Sequence, residues 1–438
     1  MSDIVARLSN GHPAAASLRG IYSICSAHPW VLAAAMEQAR EDGTPLLIES
    51  TSNQVDQFGG YTGMKPADFV RFVQSIADDV GFAREHLILG GDHLGPNAWR
   101  SLPAEEAMTR AEALIDAYVS AGYTKIHLDT SMACGGDPER LSDSVVAERA
   151  ARLCAVAEAA AARLAIGKAP VYVVGTEVPV PGGASETLNT VDVTSREAAL
   201  ETVAVHREAW RARKLDDAWQ RVIALVVQPG VEFDHTKVID YRPELATGLS
   251  HALKDMPGMV FEAHSTDYQK PEALDALVRD GFAILKVGPG VTFALREALY
   301  ALADIEAALL PDLLPDSDRS ALRNVVEAVM LRRPGNWEKY YHGDARTMRL
   351  LRTYSYSDRV RYYWADPEID AAARKLLSNL ANVTIPENLL GQFLPTQYWE
   401  VRRGAIDGSP ESIVRSKVRD VIRSYAKACG AECASSDA

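Results

Sequence analysis

Eight short apolar runs recur between about residues 19 and 310, separated by longer amphipathic stretches. They are GIYSIC (20–25), PLLIE (45–49), LILGG (87–91), KIHLD (125–129), VYVVGTE (171–177), VIALVVQ (222–228), MVFEAH (259–264) and AILKVG (283–288). Each is rich in β-branched residues and bounded by turn residues. Strands covered on both faces look like this, because crossover helices leave neither face of a parallel sheet in water. Between the runs, Pro66 to Val80 places Phe69, Val73, Ile76 and Val80 at helical spacing, with Asp68, Arg71 and Asp78 between them. Pro103 to Ala121 opens Pro-Ala-Glu-Glu and stops before Gly122, and further helices are expected to start at Ser195 and Thr292. Strands alternating with helices in this way predict an α/β fold, a closed (β/α)8 barrel of the TIM type over residues 1–310. Past Pro311 the strand signal fades. Residues 311–438 are expected to form a mostly helical C-terminal extension packed on the barrel.

The chain has 438 residues, 47% of them apolar, enough for a large core. Its formal net charge of -13 and the lack of any Lys/Arg block argue against a nucleic-acid partner. An acidic chain can still hold an anionic sugar phosphate, because local N–H groups, lysines or a metal outweigh distant surface charge. No G-x-G-x-x-G follows an early strand and no G-x-x-x-x-G-K-[ST] occurs, so no nucleotide cofactor is expected. The five cysteines are few and scattered, which suits the reducing cytoplasm. Cys429 and Cys433 lie in a Ser/Ala-rich tail expected to be frayed. The first residues lack the apolar run of a signal peptide, and no stretch reaches the length of a membrane span.

In barrels of this kind the reacting groups sit just past the C-terminal strand ends. Those positions are unusually polar here. His93, Glu177 and His264 follow the third, fifth and seventh runs, and alternate strands can converge above the barrel axis. We therefore expect them to ligate a catalytic divalent metal, with Asp129 and Asp267 in reserve. Asp92, beside His93, is the expected acid/base, and Glu177 and Asp267 are further catalytic carboxylates. Gly288-Pro289-Gly290 before a helix suits phosphate, since glycine lets backbone N–H groups approach an anion. Ser50, Asn53, Asp129, Gln228, Ser265 and Lys286 are the other expected substrate contacts. Lys286 can form a Schiff base or, more commonly, an ion pair with Glu262 or Glu49. His86, His127 and His206 read as structural, the second because it lies mid-strand; His235 is on the loop after the sixth strand.

The segments GIYSICSAHPWVLAAAMEQA, LLIESTSNQVDQFGGYTGM, LILGGDHLGPNAW, YVVGTEVPVPGG, VVQPGVEFDH, FEAHSTDYQ and LKVGPGVTFALREALYAL, with GQFLPTQY in the tail, resemble the GatZ/KbaZ family across nearly the whole chain. The resemblance implies kinship with class II fructose- and tagatose-bisphosphate aldolases, which are zinc-dependent barrels. Asp92 and His93 match the aldolases' acid/base and zinc-ligand pair, and His264 stands where a late-strand zinc histidine belongs. Glu177 lies where they tend to carry another ligand histidine, so unchanged aldolase activity does not follow. The implied cofactor is Zn2+, or Mg2+ or Mn2+, and the implied substrate a phosphorylated ketohexose. Two roles are implied: 4-epimerisation of D-tagatose 6-phosphate to D-fructose 6-phosphate, or a non-catalytic accessory subunit of a class II tagatose-1,6-bisphosphate aldolase. A homo-oligomer is expected. The accessory role predicts an exposed docking surface, with the aromatic cluster from Tyr354 to Trp364 as the candidate. The family also attracts a tagatose-6-phosphate kinase label, which no motif here supports.

Overall fold

All eight apolar runs are strands of one closed parallel barrel in the computed structural model, which describes residues 7–8, 12, 17–164, 169–176, 184, 191–309, 318–381 and 383–431. The barrel strands are β1 (Ile21–Ile24), β2 (Leu46–Thr51), β3 (Leu87–Leu94), β4 (Lys125–Leu128), β5 (Val171–Val174), β6 (Val222–Val227), β9 (Val260–Ala263) and β10 (Ile284–Val287). A two-stranded hairpin of β7 (Glu232–Phe233) and β8 (Val238–Ile239) follows β6. The ring runs β1-β10-β9-β6-β5-β4-β3-β2 and closes through the parallel pairing of β1 with β2.

Between the strands run α1 (Pro29–Asp42), α2 (Pro66–Val80), α3 (Ala104–Ser120), α4 (Asp143–Arg163), α5 (Arg196–Ala212), α6 (Pro243–Ala252) and α7 (Pro271–Arg279), with α8 (Pro289–Leu309) after the last strand. Helix α2 has the predicted bounds and buries Phe69, Val73 and Ile76. The Ser195 hydroxyl caps α5 by accepting from Ala198 N. Helix α8 starts three residues before the expected Thr292, because Pro289 suits a first helical position, where no N–H is needed. The Gly-Pro-Gly segment is therefore the entry to a helix.

Beyond the barrel the chain is helical, beginning at Leu322–Arg332 and ending at Pro410–Ala428. Cys429, expected in a frayed tail, is buried, and its carbonyl accepts from Arg19 N at 2.8 Å, tying the last helix to the entry of β1. The expectation failed because composition does not reveal that a neighbouring strand entry needs an acceptor. Cys433 lies outside the described residues. No helix among the described residues is long and apolar enough to cross a membrane.

Candidate active site and metal centre

Inward-facing side chains change character along the barrel axis. Ile21, Leu47, Ile88, Val171 and Ile284 belong to one apolar cluster near the N-terminal strand ends. Above it charges meet across the barrel. Lys125 Nζ lies 2.7 Å from both Glu49 Oε1 and Glu262 Oε2, and Lys286 Nζ lies 2.5 Å from Glu49 Oε2. Gly90 makes room for this layer, since a Cβ there would stand 2.6 Å from Glu49 Oε1. Burial disfavours the ammonium of Lys286, but Asp92, Glu49 and Glu262 outweigh it and hold the amine well above its ordinary value. Lys286 is thus the ion-pair partner of Glu49, and a protonated amine is no nucleophile.

The next layer holds the predicted pair. Strand β3 pairs Gly91 with Ile126 and then Leu94 with Leu128, so it carries one residue more than β4 over that interval. Such a bulge re-aims side chains. Asp92 and His93 are neighbours yet both reach the axis, with His93 in the left-handed region at φ 49°. Asp92 Oδ1 lies 2.9 Å from His127 Nδ1 and 2.9 Å from Lys286 Nζ. His93 Nδ1 lies 2.8 Å from Asp129 Oδ2. The His93, His127 and His264 rings form a triangle with centroid separations of 4.9, 5.2 and 5.4 Å.

The electrostatics of this layer diverge. Burial would raise Asp92, but Lys286, His93 and His127 hold it well below the usual carboxylate range. Burial would lower His93, but Asp92 and Asp129 raise it. Burial pushes His264 down to about 4, against the hydrogen bond to Glu262 Oε1 at 3.0 Å, so its imidazole is neutral at pH 7.

One ligand atom each from Asp92, His127, Glu262 and His264 lies within 4.8 Å of the others, a group that could hold a metal ion. The side chains themselves fit such an ion. His127 Nδ1 meets both the Asp92 carboxylate and the His93 backbone N–H, so Nε2 is the nitrogen left for a ligand, and that buried atom has no hydrogen-bond partner among the described residues. Two imidazoles and two carboxylates are ordinary donors for a divalent cation. Glu49, Asp92, Asp129 and Glu262 also outnumber Lys125 and Lys286 in this buried region, so further positive charge is favourable.

This set differs from the expected one. His127 was read as structural because it lies mid-strand, but β4 is only four residues long and its third residue already reaches the site. Glu262, read only as an ion-pair partner, likewise joins the set. Of the expected ligands, His264 belongs to it, and His93 stands beside it with Nε2 3.8 Å from Asp92 Oδ2. Glu177 lies outside the described residues.

Above this layer opens a cavity lined among others by Asp92, His93, His264, Lys286 and Arg361. Asn53, Ser265 and Gly288 also line it, as expected of substrate contacts. Asp267 faces it too, but its Oδ1 accepts from Gly288 N at 2.9 Å and Gly290 N at 2.7 Å. The glycine N–H pair expected to take phosphate therefore already holds an anion. Burial raises Asp267 to about 6. Asp129 sits behind His93. The Ser50 hydroxyl turns away from the axis to Tyr118 and Tyr123, and Gln228 Oε1 accepts from Gly230 N and Val231 N within a turn. The structure brings neither Ser50 nor Gln228 to the cavity. His86 precedes β3 and His206 bonds Thr202 O on α5, both away from the mouth. His235 ties its loop to the C-terminal region through Ser355 and Tyr340 O. Sequence reading missed Arg361, because nothing in the local pattern near 361 says that it reaches the barrel mouth.

A closed parallel barrel with a buried group of histidines and carboxylates that could hold a metal ion, beneath a cavity at its C-terminal mouth, is the class of protein that the fold and site define. Residues 1–430 match the family model for D-tagatose-1,6-bisphosphate aldolase subunit GatZ/KbaZ-like proteins, and the chain belongs to that family. It is 53% identical to a probable tagatose 6-phosphate kinase from Sinorhizobium meliloti 1021, over 94% of this chain and 100% of that one, with a TM-score of 0.86. The YdjI aldolase from Escherichia coli K12 is 12% identical over 90% of this chain and 97% of its own, with a TM-score of 0.41. The fructose-bisphosphate aldolase from Campylobacter jejuni is 14% identical over 86% and 92%, with a TM-score of 0.45. The last two are too distant to carry a functional argument.

Proposed function

We propose that this chain is a cytoplasmic enzyme that converts D-tagatose 6-phosphate to D-fructose 6-phosphate by retro-aldol cleavage and re-addition at C4. The observation that carries the reading is the cluster of Asp92, His127, Glu262 and His264, with ligand atoms within 4.8 Å, beneath a cavity at the barrel mouth. Ionisable groups buried together are costly unless they do something. A divalent cation held there supplies Lewis acidity to the substrate carbonyl.

The chain's own residues handle the protons. Asp92, kept ionised, accepts the C4 hydroxyl proton as the C3–C4 bond opens to an enediolate and an aldehyde. The aldehyde turns, and C3 adds to its other face. The new C4 oxygen points the opposite way, so a different group returns its proton. Asp267 faces the same cavity and, raised to about 6, is matched to proton transfer near neutrality. The surrounding walls keep the fragments together for re-addition.

The test is the purified chain alone with D-tagatose 6-phosphate and Zn2+ or Mg2+, assayed for D-fructose 6-phosphate. Turnover without ATP is expected, reduced at least 100-fold by His93→Ala or His264→Ala. No product with any divalent metal overturns the reading. The family's description as an aldolase subunit favours a second role, as an accessory to a class II catalytic subunit. That role is supported if the chain is silent alone but raises the activity or stability of such a subunit.

A further inference from the structure

The cavity wall carries one cation that the proton chemistry above leaves unused. Arg361 lies on the short turn Arg359–Tyr362, in the C-terminal region of the chain, and it faces the same cavity as Asp92 and His264. Its guanidinium donates to the carbonyls of Ser357 and Asp358 and to the Tyr362 hydroxyl at 2.8 Å. Among the described residues no carboxylate forms an ion pair with it. Lys286, the other Lys or Arg side chain on that wall among the described residues, is engaged with Glu49 and Asp92.

The turn is firmly held. Asp358 forms a buried ion pair with Arg296 of α8 at 2.8 Å and accepts from the Thr292 hydroxyl at 2.7 Å. Tyr268 OH donates to Tyr356 O at 2.6 Å. The Tyr362 ring packs edge-on against Tyr61 from the loop after β2, at 4.9 Å. A fixed guanidinium with no carboxylate partner, at the edge of a polar cavity, is a receptor for a dianion. The rival position is filled, since Gly288 N and Gly290 N both donate to Asp267 Oδ1.

We propose that Arg361 binds the phosphate of the substrate, and that the Asp267 carboxylate occupies the glycine N–H pair where a phosphate would otherwise sit. This rests on the reading of the cavity as a sugar-phosphate site. In the cleavage described above the phosphate stays on the aldehyde fragment, so Arg361 holds the piece that must turn without leaving.

The experiment compares the full-length protein with Arg361→Gln and Arg361→Lys, using calorimetric titration with inorganic phosphate and with D-tagatose 6-phosphate, together with steady-state kinetics. The Gln variant is expected to bind both ligands about 10- to 100-fold more weakly and to raise KM by the same factor. The Lys variant falls between, because an ammonium lacks the two-pronged fit. Unchanged phosphate affinity and KM in a Gln variant with wild-type Tm overturns the proposal. If the Gln variant does not fold, the Lys variant decides: affinity at least threefold weaker supports it, and unchanged affinity overturns it. Binding is read without turnover, so the two readings fail separately. An inactive protein that loses phosphate with Arg361 loses the epimerase reading and keeps this one. An active protein whose KM ignores Arg361 does the reverse.

Discussion

Asp267 stands in an unusual balance: its side chain is buried, two backbone N–H groups donate to one of its oxygens, and it still titrates at about 6. Desolvation is the larger effect and favours the protonated form. In the unfolded chain the same carboxyl titrates near 3.8. The folded state therefore holds a proton that the unfolded state has lost between these values. The stabilisation is complete below about pH 3.8 and disappears as pH rises through about 6, an effect of roughly 3 kcal/mol at most. Asn imitates the protonated form, so Asp267→Asn should become the more stable protein above pH 6, with the difference closing by pH 4. Denaturant midpoints of both proteins at pH 4 and 7.5 check this, and a pH-independent difference would contradict it. At this scale the sequence was partly legible. Asp92, His93 and His264 stood out because polar groups directly follow apolar runs. His127 did not, because a mid-strand residue ordinarily faces the packed interior. The capture of the glycine N–H pair by Asp267 joins two different strand ends, and no local pattern records it.

Among the elements, β3 does the most to shape the site. Its bulge turns Asp92 and His93 to the axis, and Gly95 at its exit lets the chain pass close against β4: a Cβ there would lie 1.7 Å from Asp129 O. No rotamer relieves a clash with backbone. Gly95→Ala is expected to push Asp129 off His93 and lower activity at least 100-fold, or to lower the soluble yield sharply. Circular dichroism with activity measurement checks it; a folded, fully active variant would show that the close approach is dispensable. The strands were readable because they are short, mostly apolar runs rich in β-branched residues and bounded by turn residues, and α2 because its period is 3.6. The start of α8 was placed late because Gly-Pro-Gly is also turn chemistry, and only the packing around it decides between the two.

Across the whole molecule, the buried carboxylates outnumber the lysines that answer them, so a bound divalent cation should stabilise the fold as well as the chemistry. At a thousandfold excess over Kd the gain is about 4 kcal/mol. Chelation is therefore expected to lower Tm by several degrees, and His127→Ala, which removes the unpartnered Nε2, should shrink that drop. A Tm indifferent to chelator in the wild type would count against the metal centre. The barrel itself could be read from eight repeats of one pattern. The way the C-terminal region delivers Arg361 to the mouth could not, because that contact joins residues about 300 positions apart from Asn53 and Tyr61 on the same wall.

Glu49 accepts from both Lys125 and Lys286, and those ammonium groups also lie beside Glu262 and Asp92. Deleting one member strands its neighbours with charge that water cannot reach. Such an interior cannot drift by single steps. Where one of these five positions has changed in a descendant of the same ancestor, a compensating change should be found at another, so inheritance treats the group as one character.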